Sequence, residues 1–176
     1  NAHPHVSESG DLCIVHNGII ENYAVIKQQL EKLGYHFKSE TDSEVLVQLI
    51  QYTFDQNKKL TLLQAVGEAL NRCIGAYAIA VLDKKEPDRM VVARKGSPLV
   101  IGIGKDKKEY FIASDATPIV EYTKNVVYLG DGQIAQIELD RDIEIFNKDK
   151  TQAQPNVKKV DINIDMLSKG GFPHFM

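Results

Sequence analysis

The run Arg72-Cys73-Ile74-Gly75-Ala76-Tyr77-Ala78-Ile79-Ala80-Val81-Leu82 divides the 176-residue chain into two kinds of pattern. Before Gly75, apolar residues recur at helical spacing. After it, the period falls toward two, the spacing of strands. Upstream, Tyr23, Ile26, Leu30 and Leu33 share one helical face and stop at Gly34, a residue suited to the position just past a helix end. Thr41-Asp42-Ser43-Glu44 has the spacing of a capping box, and Val45, Leu46, Leu49, Ile50 and Thr53 continue a second helical face. Thr61 and Gln64 repeat that spacing ahead of Leu62, Ala65, Val66, Ala69 and Leu70, a third helix ending near Arg72.

Downstream, apolar stretches at 76–82, 90–94, 98–103 and 110–113 read as strands separated by turn residues such as Pro87-Asp88 and Lys95-Gly96-Ser97. Residues 126–129 and 133–139 flank Gly130-Asp131-Gly132, which is read as a tight hairpin. A strand at 142–146 closes the series. One more buried strand, Asp11 to Val15, precedes the helices and ends in His16-Asn17-Gly18. Helices clustered first and strands second, with connections too short for repeated helical crossovers, predict a mainly antiparallel sheet layered with helices. The class is α+β.

Composition sets the outer bounds. Hydrophobic residues make up 43% and charged residues 26%, which excludes global disorder. Against 21 Lys and Arg stand 24 Asp and Glu, a net charge of −3 with no basic tract, so neither nucleic acid nor an anionic membrane is an expected partner. The longest apolar run, Cys73 to Leu82, is far shorter than the ~20 residues a spanning helix needs. Two cysteines cannot form a disulfide framework, and no secretory signal pattern opens the sequence, so a cytoplasmic location is expected. The start at Asn1 reads as the middle of a longer chain. From Lys148 the composition turns polar, so residues 1–148 are read as one domain. Residues 149–159 are read as a linker, and the last residues, to 176, as the beginning of a further domain.

Several residues invite a chemical reading and each has a plainer alternative. Asn17-Gly18 is a strong hairpin signal, yet Ile19-Ile20-Glu21 leads into a helix instead of a second strand. A glycine there allows close backbone approach, and an Asn amide beside the Gly N–H supplies the paired donors of an oxyanion hole. Asp42, in the first turn of the second helix, either caps that helix or, if Thr41 caps, is left to hold a ligand ammonium. His16 is read as a partly buried, hydrogen-bonded residue that positions Asn17. His3, His5, Cys13 and His16 could be counted as zinc ligands, but residues three apart on a strand face opposite ways, so no metal is expected. Cys13 and Cys73 are read as small core residues, and Ser114-Asp115 as a helix cap.

Six segments together carry a resemblance: Asn1-Ala2-His3-Pro4-His5, His16-Asn17-Gly18-Ile19-Ile20-Glu21-Asn22, Ser39-Glu40-Thr41-Asp42-Ser43-Glu44-Val45, Arg72-Cys73-Ile74-Gly75-Ala76-Tyr77, Gly96-Ser97-Pro98-Leu99-Val100-Ile101-Gly102 and Phe111-Ile112-Ala113-Ser114-Asp115. In this order they closely resemble the glutaminase domain of the glucosamine-6-phosphate synthase family, class II amidotransferases of the N-terminal-nucleophile type. The resemblance implies a four-layer α/β/β/α sandwich truncated at its N-terminus. It implies glutamine as substrate, with amide hydrolysis supplying the ammonia that converts fructose 6-phosphate to glucosamine 6-phosphate. It assigns Asn17 and Gly18 to the oxyanion hole and Asp42 to the α-ammonium of glutamine, and it implies no cofactor.

The same resemblance implies that Lys169-Gly170-Gly171-Phe172-Pro173-His174-Phe175-Met176 leads into a sugar-phosphate isomerase domain of a homo-oligomeric parent. In such families the attacking thiol belongs to an N-terminal cysteine whose α-amino group is the base. Cys13 and Cys73 match no catalytic position, so the chain alone is expected to be inactive. Two other readings stay open: the glutaminase domain of another class II amidotransferase, such as amidophosphoribosyltransferase, and a non-catalytic binding module of the same fold. The Gly-Gly-Phe-Pro-His-Phe-Met tail argues against the first.

Overall fold

A computed structural model describes residues 2–160. Strands β1 (His5–Val6) and β2 (Leu12–Ile20) pair antiparallel, with His5 opposite Ile14. Helices α1 (Tyr23–Lys32), α2 (Asp42–Gln56) and α3 (Leu62–Leu70) follow in the places the apolar periodicity predicts. Thr61 and Gln64 form the complete capping box at α3. At α2 only half of the motif forms. The Thr41 hydroxyl accepts from the Glu44 N–H at 3.2 Å, while the Glu44 carboxylate accepts from the N–H groups of Lys38 and Ser39.

After α3 the chain forms β3 (Gly75–Asp83), β4 (Arg89–Lys95), β5 (Val100–Ile103), β6 (Tyr110–Ala113), β7 (Asn125–Tyr128), β8 (Ile134–Glu138), β9 (Glu144–Phe146), β10 (Gln152–Ala153) and β11 (Val157–Lys159). These strands build a seven-stranded sheet of order β1-β2-β3-β4-β8-β9-β10 and a four-stranded sheet of order β11-β7-β5-β6. Neighbouring strands are antiparallel throughout.

The unbroken apolar run of β3 has a physical cause: both of its faces are covered. Tyr77, Ile79 and Val81 pack with Leu12, Ile14 and Ile20 against the three helices. Ala78 and Ala80 face the other way, onto Leu99 and onto Ile101 and Val127 of the smaller sheet. Beyond that sheet, Ala116 and Ile119 in a run of turns pack on Val100 and Val126. The layers are therefore helices, large sheet, small sheet and a thin outer cover of turns. Helix α2 is the most enclosed element, with every residue from Ser43 to Ile50 buried.

Three expectations need correction. Asn17-Gly18 is not a turn: β2 runs straight through it, pairing Gly18 with Tyr77 and Ile20 with Gly75. Gly130-Asp131-Gly132 does not close a hairpin, because β7 and β8 lie in different sheets. Its turn residues do reverse the chain, but the loop is pinned to the end of β4. There Asp131 accepts from the Gly96 N–H at 2.7 Å and pairs with the Arg94 guanidinium at 3.2 Å. Residues 149–159, read as a linker, carry β10 and β11, which pair with β9 and β7. Edge strands are held by backbone hydrogen bonds while their side chains meet water, so a polar composition conceals them. The expected lead into a further domain, at 161–176, lies outside the described residues.

Two glycines set how closely β2 and β3 approach. At Gly18 (φ +136°) an added Cβ would stand 2.2 Å from the Ala76 carbonyl oxygen. At Gly75 (φ +130°) it would stand 2.1 Å from the Ile19 carbonyl oxygen. Both the conformation and the space exclude a side chain. Gly67, within α3, has nothing within 4 Å of an added Cβ. Gly75→Ala is expected to destabilise the chain by ~3 kcal/mol or more, through backbone strain and steric displacement together. Gly67→Ala is expected to stabilise it by ~0.5–1 kcal/mol through helix propensity. Urea unfolding of the two variants checks this, and equal effects would mean that the β2–β3 approach is not tight.

Candidate active site between the two sheets

The candidate residues converge where β2 meets the N-terminus of α2. Asn17 turns outward from β2 into a cavity of about 180 Å³ between the sheets, lined also by His3, Ala78, Ala80, Leu99 and Ser114. The two alanines of β3 leave the room. Typical pockets for drug-sized ligands measure ~300–1,000 Å³, so this space suits a short side chain better than a large cofactor. The Asn17 amide Nδ2 donates to the Ser114 hydroxyl at 3.3 Å across the gap between the sheets. An amide nitrogen carries two hydrogens, so one remains to be donated elsewhere.

Ser114 does not cap a helix as its sequence context predicts. No helix follows it. Asp115 accepts from the Thr117 N–H within a turn, and Ser114 faces Asn17. No local pattern could signal a partner 97 residues away.

Asp42 is the first residue of α2, and Thr41 is its cap. The Asp42 carboxylate is nevertheless tied down, because Oδ2 accepts from the Ile20 N–H at 2.8 Å. Its side chain keeps 21% exposure, so the carboxylate both joins helix to strand and presents charge to solvent. The positive end of the α2 dipole favours that charge.

His16 sits between these groups. Its ring is 1% exposed, with Nδ1 2.9 Å from the Ser43 hydroxyl and 4.0 Å from Asp42 Oδ2, while Nε2 is buried without a hydrogen-bond partner. Burial pushes its pKa below 6.5, against the pull of the Asp42 carboxylate. Burial also lowers the pKa of His5, whose ring meets that of His3 edge to face at 5.1 Å. His16 is thus a neutral ring at pH 7 that ties β2 to Ser43 of α2. Among the described residues, no group of three or more His, Cys, Asp and Glu could hold a metal ion.

Neither cysteine reaches this site. Cys73 is buried beneath α3, donates to the Ala69 carbonyl oxygen at 3.5 Å, and has its thiol pKa pushed up to about 11 by burial. Cys13 lies on β2 four residues before Asn17, which at the rise of a strand is ~13 Å away.

Two stacked antiparallel sheets, a layer of helices on the larger one, and an Asn-Gly strand facing the space between the sheets define an amidotransferase-type domain of the N-terminal-nucleophile class. The chain belongs to the glutamine amidotransferase domain family, whose profile matches residues 1–121. It is 57% identical over all 176 residues to glutamine-fructose-6-phosphate aminotransferase (isomerizing) of Bacteroides thetaiotaomicron. Identity to the protein of the same name in Chlorobaculum tepidum is 51% over the same span. The chain spans 28% of the length of each of these relatives. Among solved structures it is similar to the phosphoribosylpyrophosphate amidotransferase of B. subtilis. The TM-score is 0.68 at 27% identity, covering 86% of this chain and 33% of that one. No helix among the described residues is long and apolar enough to cross a membrane.

The depressed histidines have a measurable consequence. Between their folded-state pKa values and 6.5 the unfolded chain binds protons that the folded chain refuses, so stability rises with pH across that window and levels off above it. Glu44 acts lower down. Burial raises its pKa, but the hydrogen bonds from Lys38 and Ser39 together hold it below 4.5, so its contribution is lost only as pH falls beneath that value. Melting temperatures measured from pH 5 to 7.5 are expected to rise with pH, and to rise less steeply in His16→Gln. Parallel slopes would show that His16 protonates freely in the folded state.

Proposed function

We propose that this chain supplies the electrostatic half of a glutaminase site. In this reading Asn17 Nδ2 and the Gly18 N–H receive the oxyanion formed when a thiolate attacks the side-chain amide carbon of glutamine. Asp42 holds the α-ammonium, and His16 keeps β2 and α2 in register. Ammonia leaves and the acyl-thiol intermediate is hydrolysed to glutamate. The observation that carries the reading is the placement of Asn17, whose amide opens into the cavity between the sheets with one N–H uncommitted.

The thiol comes from outside these 176 residues, because Cys73 is buried and protonated and Cys13 is a strand's length away. The names of the relatives support a parent that passes the ammonia to fructose 6-phosphate, with a sugar-phosphate isomerase domain in the same chain; homo-oligomeric assembly of that parent is part of the proposal. A cytoplasmic setting is consistent with that chemistry.

The test is kinetic and uses the protein extended to include the family's N-terminal cysteine. Asn17→Ala is expected to lower kcat for glutamine hydrolysis by ~10²- to 10³-fold with little change in KM, since an oxyanion donor acts mostly in the transition state. Asp42→Asn keeps an acceptor for the Ile20 N–H but removes the charge, so it is expected to raise KM for glutamine by roughly 10- to 150-fold with kcat largely kept. A melting point lowered in Asp42→Asn with KM unchanged would reduce Asp42 to a structural tie. A purely KM effect of Asn17→Ala would remove Asn17 from the oxyanion hole.

A further inference from the structure

A second and larger cavity lies on the opposite face of the seven-stranded sheet, between α3 and the ends of β4, β8 and β9. Its volume is about 600 Å³, within the range of small-molecule sites. It shares no lining residue with the cavity at Asn17. Leu63, Leu70, Ile134 and Phe146 give it apolar walls. Lys95, Lys148 and Lys150 also line it, and among the described residues no carboxylate pairs with any of the three.

The acidic residues on the lining do not cancel this charge. Asp131 is already engaged by Arg94 and the Gly96 N–H, which leaves Glu68 alone against three lysines. Tyr77 adds a second, independent feature. The residue is 6% exposed, it lines the cavity, and its hydroxyl has no hydrogen-bond partner among the described residues. The hydroxyl is not among the fully buried unpaired atoms, so it opens on the cavity with its proton free to be donated there. Burial pushes its pKa up to about 12, so it stays a neutral donor through the physiological range.

We propose that this cavity is a binding site for a small amphipathic anion, an apolar or ring-bearing body carrying a phosphate, sulfonate or carboxylate. The apolar walls take the body, the lysines face the acidic group, and the Tyr77 hydroxyl donates to it. The site is independent of the glutaminase reading, since it uses none of the residues assigned to glutamine.

Anilinonaphthalene sulfonate is a suitable probe, an aromatic body with one fixed negative charge, and neutral phenylnaphthylamine is its uncharged counterpart. Titration of the full chain is expected to show one saturable site for the sulfonate, with tighter binding than for the neutral amine and weakening as salt is added. Bound sulfonate is expected to raise the melting point of a cooperative transition, which separates site binding from adsorption to a loosened core.

Gly67 lies on the cavity wall and an added Cβ there meets nothing within 4 Å, so Gly67→Leu fills the space without disturbing the fold. Affinity for the sulfonate is expected to fall about tenfold or more in Gly67→Leu and in the triple variant Lys95→Glu, Lys148→Glu, Lys150→Glu. Tyr77→Phe is expected to weaken it severalfold. Binding that is unchanged in Gly67→Leu, or many weak sites, would overturn the cavity as the site. Equal affinity for the neutral amine would overturn the anion.

Discussion

Strands β2 and β3 lie against each other over nine paired positions, from Leu12 opposite Asp83 to Ile20 opposite Gly75. Near the end of that ladder the backbones come too close for any side chain at Gly18 or Gly75. This closeness governs the layout of the site. It holds β2 extended through Asn17 and Gly18, so the Asn17 side chain faces the space between the sheets and His16 faces the helices. It also brings the Ile20 N–H within reach of Asp42, which fixes the start of α2 to the end of β2. A looser pairing would leave the same residues in the sequence with no common place to meet.

The enclosed helix α2 depends on the same junction. A helix with eight consecutive buried residues must satisfy its polar groups internally, and this one does. Glu44 accepts from the N–H groups of Lys38 and Ser39. Gln48, 1% exposed, accepts from the Glu8 N–H and donates to the His36 carbonyl oxygen, each at 3.1 Å. Ser43 meets His16. These contacts tie the β1–β2 turn and the loop between α1 and α2 to the buried stretch of the helix. The polar groups near the candidate site therefore serve the architecture, and Asp42, which accepts from the Ile20 N–H, is one of them.

Local signals made the three helices and the central strands legible from sequence, because the periodicity and caps that define them are local. The α+β class followed from their order. What escaped was non-local. The Gly130-Asp131-Gly132 turn announced a reversal but not that the chain changes sheets there. The strands β10 and β11 are too short and polar to show a period. For the candidate site, the family's motifs point to Asn17, Gly18, His16 and Asp42, and the structure gathers them where β2 meets the start of α2. The sequence misplaces Ser114 because its partner lies on another strand of another sheet, and it gives no sign of Ser43, whose bond to His16 depends on how α2 docks.

The short segment between β10 and β11 has a mechanical meaning. β10 belongs to the larger sheet and β11 to the smaller, and only residues 154–156 separate them. From Ala153 to Val157 the chain takes four steps, ~13–14 Å when extended, against ~10 Å between packed sheets. The connection therefore has only a few ångströms of slack. Sliding one sheet far over the other would exhaust it, and the Asn17–Ser114 contact bridges the sheets at the far side of the sandwich. With a tether at one end and a hydrogen bond at the other, the two walls of the cavity are joined on both sides of the sandwich, so drawing them apart requires breaking one join and extending the other.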